Sequence, residues 1–436
     1  MKRLAAILLT IAVALGLAAC SSNSNSGDSS SSAAAFSPRL DTGLTAAIEI
    51  AGFMGNFEAL DQAMNAFGEI YPNVTFNYDY NSAFMLNEYM DNNLNVDIFM
   101  TNDQNVKREE PPEYYVGDWC LDLSKEDINL SAVQPDVLSY CTVNGELLRV
   151  PLAMNPCGIV VNKTLLKDNG LEVPTTYSEF LSVVEALREK GYTPIQGSEQ
   201  HVYGELMIGM IMNILAKDKD ATAKLEAGDV SVVDVVKPVF ERLTEIIDKG
   251  STDYNLNCTY PADNYDGSIM GSFEGNMPFY VCTAECVSGM KKRESKSETF
   301  TAKPFEYEYL YAPIGDEGAY AYTEPWYGFS VNKNSKDKDI AVEFMRFLTT
   351  ADRLTSMASI KGMPASTTTG TDERYTAMKN QKKLASSFSN DGSVSGNIWA
   401  AFMEVCRNLG AGAYASADEA AQAFVEQCTL SNVKAF

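Results

Sequence analysis

The sequence is poor in histidine and in positive charge, and each shortage argues against a class of function. His201 is the single histidine, so sites built from several histidines are excluded, and we expect no metal and no cofactor. The chain has 34 basic and 58 acidic residues and a formal net charge of -24, which disfavours binding to nucleic acid. It also lacks the GxSxG and HExxH motifs of hydrolases, so we expect no catalytic activity.

The first twenty residues have the pattern of a lipoprotein export signal. A positive start at Lys2 and Arg3 is followed by an apolar run and then by small residues that end at Cys20. Cleavage before Cys20 would leave a cysteine that carries a diacylglycerol and holds the protein on the outer face of a bacterial membrane. No second apolar stretch of spanning length follows, so the lipid is the expected membrane contact.

The next segment is predicted to be a tether. We assign 1–19 to the signal peptide and 20–38 to the lipidated cysteine with a serine-rich linker, which has too little apolar surface to fold. About 400 residues remain, enough for two globular lobes of ordinary size.

Eight further cysteines leave disulfides open in an exported chain. Two pairings are suggested, Cys120 with Cys141 and Cys406 with Cys428. The alternative is that the thiols are buried and pack as small hydrophobic groups.

The chain opens with an alternation of strand and helix. Residues 45–51 read as a strand, and apolar residues from Phe57 to Ile70 then recur at helical spacing. Residues 74–80 alternate apolar and polar side chains, as a half-buried strand does, and Val96 to Met100 form another strand. A helix is also predicted over 84–94. This alternation predicts an α/β fold with a mostly parallel sheet that receives ligands at the carboxyl ends of its strands.

Three helix starts carry the capping-box pattern, in which a hydroxyl is followed three residues later by a carboxylate or amide. They are Ser131 with Gln134, Thr176 with Glu179, and Ser416 with Glu419. Further strands are expected near 276–282, 307–311 and 325–331, with helices near 340–348, 398–409 and 417–428.

Several segments together resemble the extracellular solute-binding proteins of ABC importers, particularly the maltose- and oligosaccharide-binding group (family 1). The helix-to-strand turn AFGEIYPNV and the strand VDIF are similar to that family's "F…YP.I.V" and "PDI" segments. GELLRVP, VVNKTLL, GLEVPTTYSEF, FEGNM and the stretch from Gly328 to Leu348 follow in the family's order. The resemblance covers about residues 45 to 430, and the order of the segments is more specific than any one of them.

The resemblance implies a two-lobe periplasmic-binding-protein fold with a hinge of crossing segments and a C-terminal helical region. Carried onto this sequence, lobe one would be 40–156 plus 330–365, and lobe two 157–329 plus 366–436. The crossings would lie near 156–162, near 325–331 and about 362–371. Closure of the hinge would bury a ligand and create the form that the transporter recognises.

The resemblance also implies a set of ligand contacts. Trp399 is similar to a tryptophan that stacks on sugar, and Glu199, His201 and Tyr203 lie in a stretch that meets ligand in the family; core packing is the alternative for Trp399. Further candidates lie in loops after predicted strands or at the second crossing: Phe53, Asn56, Asn102, Asp103, Trp326 and Tyr327. The family often has a stacking tryptophan where this chain has Thr283, and Tyr280 could substitute for it.

The expected function is therefore that of a lipid-anchored, extracytoplasmic receptor that is not an enzyme. It would capture a carbohydrate, most simply an oligosaccharide, and deliver it to ABC permease subunits as a monomer, without contact to nucleic acid. Two alternatives stay open: a receptor for a polyamine or another small polar solute, and an exported glycosidase with two catalytic carboxylates.

Overall fold

The computed structural model describes residues 36–52, 54, 57–80, 95–102, 106, 116–260, 265–367, 373–388 and 396–429. The predicted helix over 84–94 lies outside this part of the chain. The described strands are β1 Ala46–Ala51, β2 Val74–Asp79, β3 Ile98–Thr101, β4 Thr142–Val143, β5 Glu146–Leu147, β6 Val150–Pro151, β7 Met154–Asn162, β8 Ile195–Gln196, β9 Phe279–Thr283, β10 Tyr307–Leu310, β11 Ala319–Pro325, β12 Gly328–Val331 and β13 Lys383–Phe388.

Helices surround these strands. The described α-helices are α1 Glu58–Gly68, α2 Pro135–Tyr140, α3 Lys163–Asp168, α4 Tyr177–Glu189, α5 Leu206–Lys217, α6 Lys219–Glu226, α7 Val233–Asp248, α8 Tyr254–Asn257, α9 Tyr265–Ser272, α10 Ala284–Arg293, α11 Glu298–Ala302, α12 Lys338–Leu348, α13 Ala351–Lys361, α14 Thr376–Asn380, α15 Gly396–Gly410 and α16 Ala417–Gln427. A π-turn, His201–Glu205, leads directly into α5. Within the described residues, no helix has both the length and the apolar character needed to cross a bilayer.

The first sheet has the strand order β2-β1-β3-β12-β6. β1 pairs in parallel with both β2 and β3, whereas β12 runs antiparallel to β3 and to β6. The carboxyl ends of β1 and β3 therefore lie at the same edge as the start of β12. An aromatic cluster packs beneath this sheet, where Phe67 lies 5.1 Å from Phe344 and 5.5 Å from Phe347 between ring centroids. The prediction of a strand-helix-strand start is confirmed.

The second sheet has the order β13-β11-β7-β9-β8, and β10 also pairs with β7. β7 runs antiparallel to β9, β10 and β11, while β8 is parallel to β9. The carboxyl ends of β8, β9 and β11 thus gather at the edge where β7 begins. No residue with a side chain fits at Gly158, because its Cβ would lie 2.2 Å from the Leu310 carbonyl oxygen.

Three segments join the two sheets. Residues 151–157 and 323–328 pair as an antiparallel ribbon, in which the Trp326 amide donates to the Ala153 carbonyl and the Leu152 amide to that of Tyr327. The third segment, 363–367, contributes the Pro364 carbonyl, which accepts from the Met154 amide at 2.8 Å. We call these three segments the junction. The resulting α/β fold is the predicted periplasmic-binding-protein fold; the lobe boundaries stay a prediction.

One of the three capping-box predictions is confirmed in full and a second in part. Thr176 and Glu179 form a reciprocal capping box. The Ser416 hydroxyl accepts from the Glu419 amide at the start of α16, but the Glu419 carboxylate accepts from the Ala415 amide. The Ser131 prediction is wrong, because α2 begins at Pro135, whose fixed φ suits the first helical position, and its N-cap is Gln134 without a side-chain bond.

Both suggested disulfides are also wrong. The eight cysteines between residues 120 and 428 are thiols, and all except Cys258 are buried. Cys120 belongs to a small cluster with Val116, whereas Cys141 lies in the large core cluster that includes Phe67 and Phe344. These side chains pack as small hydrophobic groups, which is the alternative that the sequence left open.

Candidate ligand-binding site at the junction of the two sheets

The strand ends at the junction bring polar side chains of both sheets together. From the first sheet, Asn102 follows β3 and hydrogen-bonds Tyr327, which precedes β12. From the second sheet, Asn155 lies near the start of β7, and its side-chain oxygen accepts the Glu285 amide at 3.1 Å. Burial raises the pKa of the Tyr327 phenol, and repulsion from Glu285 adds to the shift. Glu285 therefore acts electrostatically on a residue that belongs to the first sheet.

Trp326 is the centre of this arrangement. Its indole Nε1 donates to Glu285 Oε2 at 3.4 Å, and Lys361 Nζ lies 4.7 Å from its ring centroid. Lys361 Nζ is also 3.9 Å from Glu285 Oε1. Phe57, at the start of α1, meets the indole edge to face at 6.3 Å. We call Phe57, Glu285, Trp326 and Lys361 the junction cluster.

The junction cluster is largely removed from solvent. Trp326 is 4% exposed, and the side chains of Lys361 and Glu285 are 19% and 30% exposed. Burial lowers the pKa of Lys361, although the Glu285 carboxylate opposes the shift. The Trp326 carbonyl is held as well, because it accepts a 2.9 Å hydrogen bond from Nη1 of the fully buried Arg149. In this conformation Trp326 is a packing residue of the junction, with little ring surface open to a ligand.

Thr283 adds a polar group at the end of β9. It is 6% exposed and occupies the N-cap of α10, yet its hydroxyl makes no capping bond and finds no hydrogen-bond partner among the residues that the structure describes. Buried hydroxyls without a partner are rare in folded proteins, so this one marks a position where a ligand hydroxyl or a water would bind favourably. Cys157 is its register partner on β7.

A second group of side chains follows β8. Glu199 accepts from the exposed Cys258 thiol at 3.0 Å and lies 3.9 Å from Arg407 of α15. Two residues further on, His201 opens the π-turn and is 2% exposed, with Nε2 3.5 Å from Glu205 Oε1. Burial lowers the pKa of His201 to about 4, so the imidazole is neutral at physiological pH.

Trp399 lies near the start of α15 and stacks on Tyr322 of β11, with ring centroids 5.9 Å apart and planes 19° from parallel. The indole is half-buried, so part of it faces solvent. The Tyr322 hydroxyl in turn donates to Glu324 on the same strand. This places Trp399 beside one of the strands that cross between the sheets.

Other predicted contacts lie elsewhere. Tyr280 is 1% exposed in the middle of β9, and its hydroxyl pairs with Ser268 at 2.8 Å. Tyr203 is 1% exposed inside the π-turn, where its hydroxyl accepts from Asn257. Both rings belong to the core in this conformation. Phe53, Asn56, Asp103 and Cys20 lie outside the described residues.

Sequence reasoning did not find Asn155, Glu285, Lys361 or Glu205. Each looks like an ordinary polar residue in its local sequence. The pairing of β7 with β9 and β11 positions Asn155 and Glu285, while Lys361 comes from the end of α13 and Glu205 from the π-turn, and these long-range contacts leave no local trace. The sequence did carry a weak indication for Glu285, because it lies two residues after Thr283, the position where the resembling family often has a stacking tryptophan. No group of three or more potential metal ligands assembles within the described ranges.

Comparison with known proteins agrees with this architecture. The chain is 22% identical over 251 residues to the multiple sugar-binding protein of Streptococcus mutans serotype c, and the match covers 56% of this chain and 57% of that protein. The chain thus spans little more than half the length of this relative.

Solved structures are similar over more of the chain. RafE of Streptococcus pneumoniae in its apo form has a TM-score of 0.67 at 16% identity, over 88% of this chain and 98% of RafE. A sugar transporter protein of Bacillus licheniformis in complex with stachyose has a TM-score of 0.60 at 16% identity, over 87% and 98%. These likenesses establish the fold. The family model of the bacterial extracellular solute-binding proteins matches residues 62–385, and the chain belongs to that family.

Proposed function

We propose that this protein is the receptor of an ABC importer that captures a small carbohydrate, most simply an oligosaccharide, between its two lobes. The observation that carries the proposal is the meeting of polar and aromatic side chains from both sheets at the three crossing segments. A ligand that contacts both sheets there stabilises the closed form, because closure adds contacts that the open form lacks.

The chemistry of the junction suits a polyol. Sugar rings need apolar surfaces for their CH faces together with amides, carboxylates and hydroxyls for their many OH groups. Tyr327 and Trp399 offer partly exposed rings on the two sides. Asn102, Asn155 and the Thr283 hydroxyl, which has no partner in the described part of the chain, supply hydrogen-bonding groups at the strand ends between them. Glu199 is a further candidate ligand contact. Its carboxylate now interacts with Arg407 and Cys258, and a ligand that binds it would replace these partners.

Relatives support a sugar as the ligand class. RafE has a structure in complex with raffinose, and the Bacillus licheniformis protein has one with stachyose. Both ligands are neutral oligosaccharides. We infer the same class for this chain, with a different set of contacts, since Thr283 stands where the family often has tryptophan.

The location and partners follow from the same proposal. The signal 1–19, the lipid on Cys20 and the linker to residue 38 would tether a monomeric receptor outside the cytoplasm. The lobes, 40–156 plus 330–365 and 157–329 plus 366–436, would present their closed form to the permease subunits. Hand-over of the solute needs no chemistry in the receptor, so it is proposed to have no catalytic activity.

A polyamine is the second candidate ligand, and one observation favours it. Glu199, Glu205, Glu285 and Glu324 all lie at or beside the junction, and the chain carries a net charge of -24. Acidic side chains at several points along a cleft would suit a flexible polycation. Lys361 and Arg407 already neutralise two of the four, which is why we favour the sugar.

Isothermal titration calorimetry distinguishes the two. The full chain in detergent is titrated with raffinose, stachyose, maltotriose, xylotriose, putrescine and spermidine. We expect one oligosaccharide to bind at micromolar Kd or tighter and both polyamines to give flat titrations. Tyr327→Ala should weaken that binding by about tenfold to a hundredfold. The control is Tyr414→Ala, which lies four residues beyond Gly410, the last residue of α15; Gly410 itself is about 16 Å along that helix from Trp399, so the variant should bind normally. If only spermidine binds, the proposed ligand class becomes a polyamine. If the protein hydrolyses any of the sugars, the proposed receptor function is refuted.

A further inference from the structure

The first residues that the structure describes, 36–39, are docked on helix α12. The Phe36 ring meets Phe347 edge to face, with centroids 5.2 Å apart, and Arg346 Cζ lies 4.2 Å from the centroid of the same Phe36 ring. Phe36 is half-buried and packs against the large core cluster. Both contacts stabilise the docked ring beyond the apolar area that it buries. Two neighbouring residues of α12 therefore hold Phe36 in place.

The backbone of this segment is hydrogen-bonded as well. Arg346 Nη2 donates to the Ser37 carbonyl at 2.6 Å, and the Arg39 amide donates to Glu343 Oε1 at 2.9 Å. The side chains of Glu343 and Arg346 are 4% and 11% exposed, so both anchor points belong to the packed interior of the protein. Hydrogen bonds in which one group is charged are shorter and stronger than neutral ones. The chain is therefore fixed on both sides of Pro38.

The Arg39 side chain binds a second part of the protein. Its Nη1 lies 2.5 Å from Asp127 Oδ2 and also donates to the Asp127 carbonyl at 2.6 Å. The two side chains are 44% and 82% exposed, so this ion pair adds little by itself. Its position is informative, because Arg39 is the one basic residue between Arg3 and Lys107. The single positive charge of that stretch lies directly after the predicted linker 20–38 and pairs with an acidic loop residue.

We propose that residues 36–39 form a clasp that fixes the predicted tether on α12, so that the tether ends before Phe36 and the Arg39–Leu40 bond is shielded from proteases that cut after basic residues. Cleavage of that bond would add water across it, leave a carboxylate on Arg39 and an amine on Leu40, and separate the folded protein from its anchor. A protease needs backbone that is exposed and free of hydrogen bonds, so it can cut here only while the clasp is open. The rate of cleavage therefore reports the equilibrium between the closed and the open clasp.

The consequence for an anchored receptor rests on the proposed function, whereas the clasp itself does not. If Cys20 carries the lipid, 15 residues, 21–35, separate it from the clasp, which is at most about 50 Å of fully extended chain. The membrane would then hold the receptor through α12, which packs on β12 of the first sheet. Cleavage of the clasp can be measured without a solute or a membrane. A failure of the clasp is therefore distinguishable from a failure of the receptor function.

Limited digestion with trypsin tests the clasp on the full chain in detergent. Mass spectrometry measures how fast the new N-terminus at Leu40 appears, so that cuts elsewhere in the chain do not interfere. A free peptide of residues 31–45 gives the rate for the same bond without the clasp. We expect the wild-type protein to be cut after Arg39 about a hundredfold more slowly than the peptide, because several contacts must break together before the bond is accessible.

The double variant Phe36→Ala with Asp127→Asn weakens the clasp from its exposed side. It removes the ring contacts and the ion pair but keeps the buried pair of Glu343 and Arg346. We expect the new N-terminus to appear about tenfold faster than in the wild type. The matched control is Phe305→Ala, which removes another half-buried ring that packs on the same core cluster and on other aromatic residues. This control should be cut at the wild-type rate.

Three outcomes would overturn the proposal. In the first, the wild-type protein is cut after Arg39 as fast as the free peptide. In the second, the double variant is cut no faster than the wild type. In the third, Phe305→Ala accelerates the cut as much as the double variant, which would make cleavage a measure of general stability. Hydrogen exchange keeps the test informative if the double variant fails to fold, because the Arg39 amide of the wild type should exchange slowly, and rapid exchange contradicts the clasp.

Discussion

The ion pair between Lys361 and Glu285 is predicted to contribute measurably to the stability of the junction. Lys361 ends α13, which packs on α1 beside the first sheet, whereas Glu285 is in the first turn of α10, which packs on β7 and β9 of the second. The two charges are 3.9 Å apart. At an effective dielectric constant of about 20, Coulomb's law gives roughly 4 kcal/mol for that separation.

The net contribution of this ion pair to the free energy of unfolding is much smaller, because both side chains keep some contact with solvent and lose conformational freedom when they pair. Partly exposed ion pairs contribute about 0.5 to 1 kcal/mol. The ammonium group over the Trp326 ring adds about 0.5 to 1 kcal/mol as a cation–π contact. We therefore expect Lys361→Met to lower the free energy of unfolding by about 1 to 2 kcal/mol, and the coupling between Lys361 and Glu285 to be about 0.5 to 1 kcal/mol.

A double-mutant cycle measures the coupling. Urea unfolding is followed for the wild type, Lys361→Met, Glu285→Gln and the double variant, with tryptophan fluorescence as the signal. The matched control is the pair Lys382 and Glu317, whose atoms are closer, at 3.0 Å, but whose side chains are 66% and 76% exposed. Exposure predicts a coupling under about 0.3 kcal/mol for the control pair. If the control pair couples as strongly as Lys361 with Glu285, burial at the junction is not what makes this contact important.

Two further predictions concern the ligand surface and the first core. Trp399→Ala should weaken binding of the solute by about 1 to 3 kcal/mol, measured by calorimetry, because its half-buried ring would stack on the ligand; unchanged affinity would make it only a packing partner of Tyr322. Glu343→Gln should lower the free energy of unfolding by about 3 to 5 kcal/mol in urea titrations, because the 4% exposed carboxylate accepts from Tyr71, Arg39 and Arg346 and its loss leaves the Arg346 side chain, which is only 11% exposed, without its opposite charge; a loss below about 1 kcal/mol would contradict this.

Much of the fold could be predicted from local patterns. The alternation over 74–80 predicts β2, and the helical spacing from Phe57 to Ile70 predicts α1, because burial of one face leaves a periodic pattern in the sequence. Thr176 with Glu179 marked the start of α4 because the capping box is purely local. At 325–331 a single strand was expected, but the structure has the end of β11, a crossing at Trp326 and then β12. The Trp326 amide bonds to Ala153, a long-range pairing that no local pattern shows.

The site was less predictable for the same reason. Asn102 and Tyr327 could be proposed because loops after strands carry ligand contacts in α/β folds. Lys361 and Glu285 could not, since an ion pair between residues 76 positions apart leaves no periodic signal. Burial is also invisible in the local sequence: Tyr280 and Tyr203 are polar aromatic residues of a kind suited to a sugar, but their hydroxyls hydrogen-bond Ser268 and Asn257 inside the core. The thiols of Cys406 and Cys428 are buried in the same way.

Closure around a solute is the central claim, and small-angle X-ray scattering tests it most directly. Curves are recorded for the full chain alone and with the tightest ligand from the calorimetric panel at saturation, with a non-binding sugar of the same size as the control. The account predicts a smaller radius of gyration with the ligand and no change with the control sugar. Identical curves for the free and the saturated protein would show that the solute binds without bringing the two sheets together, and would contradict the account.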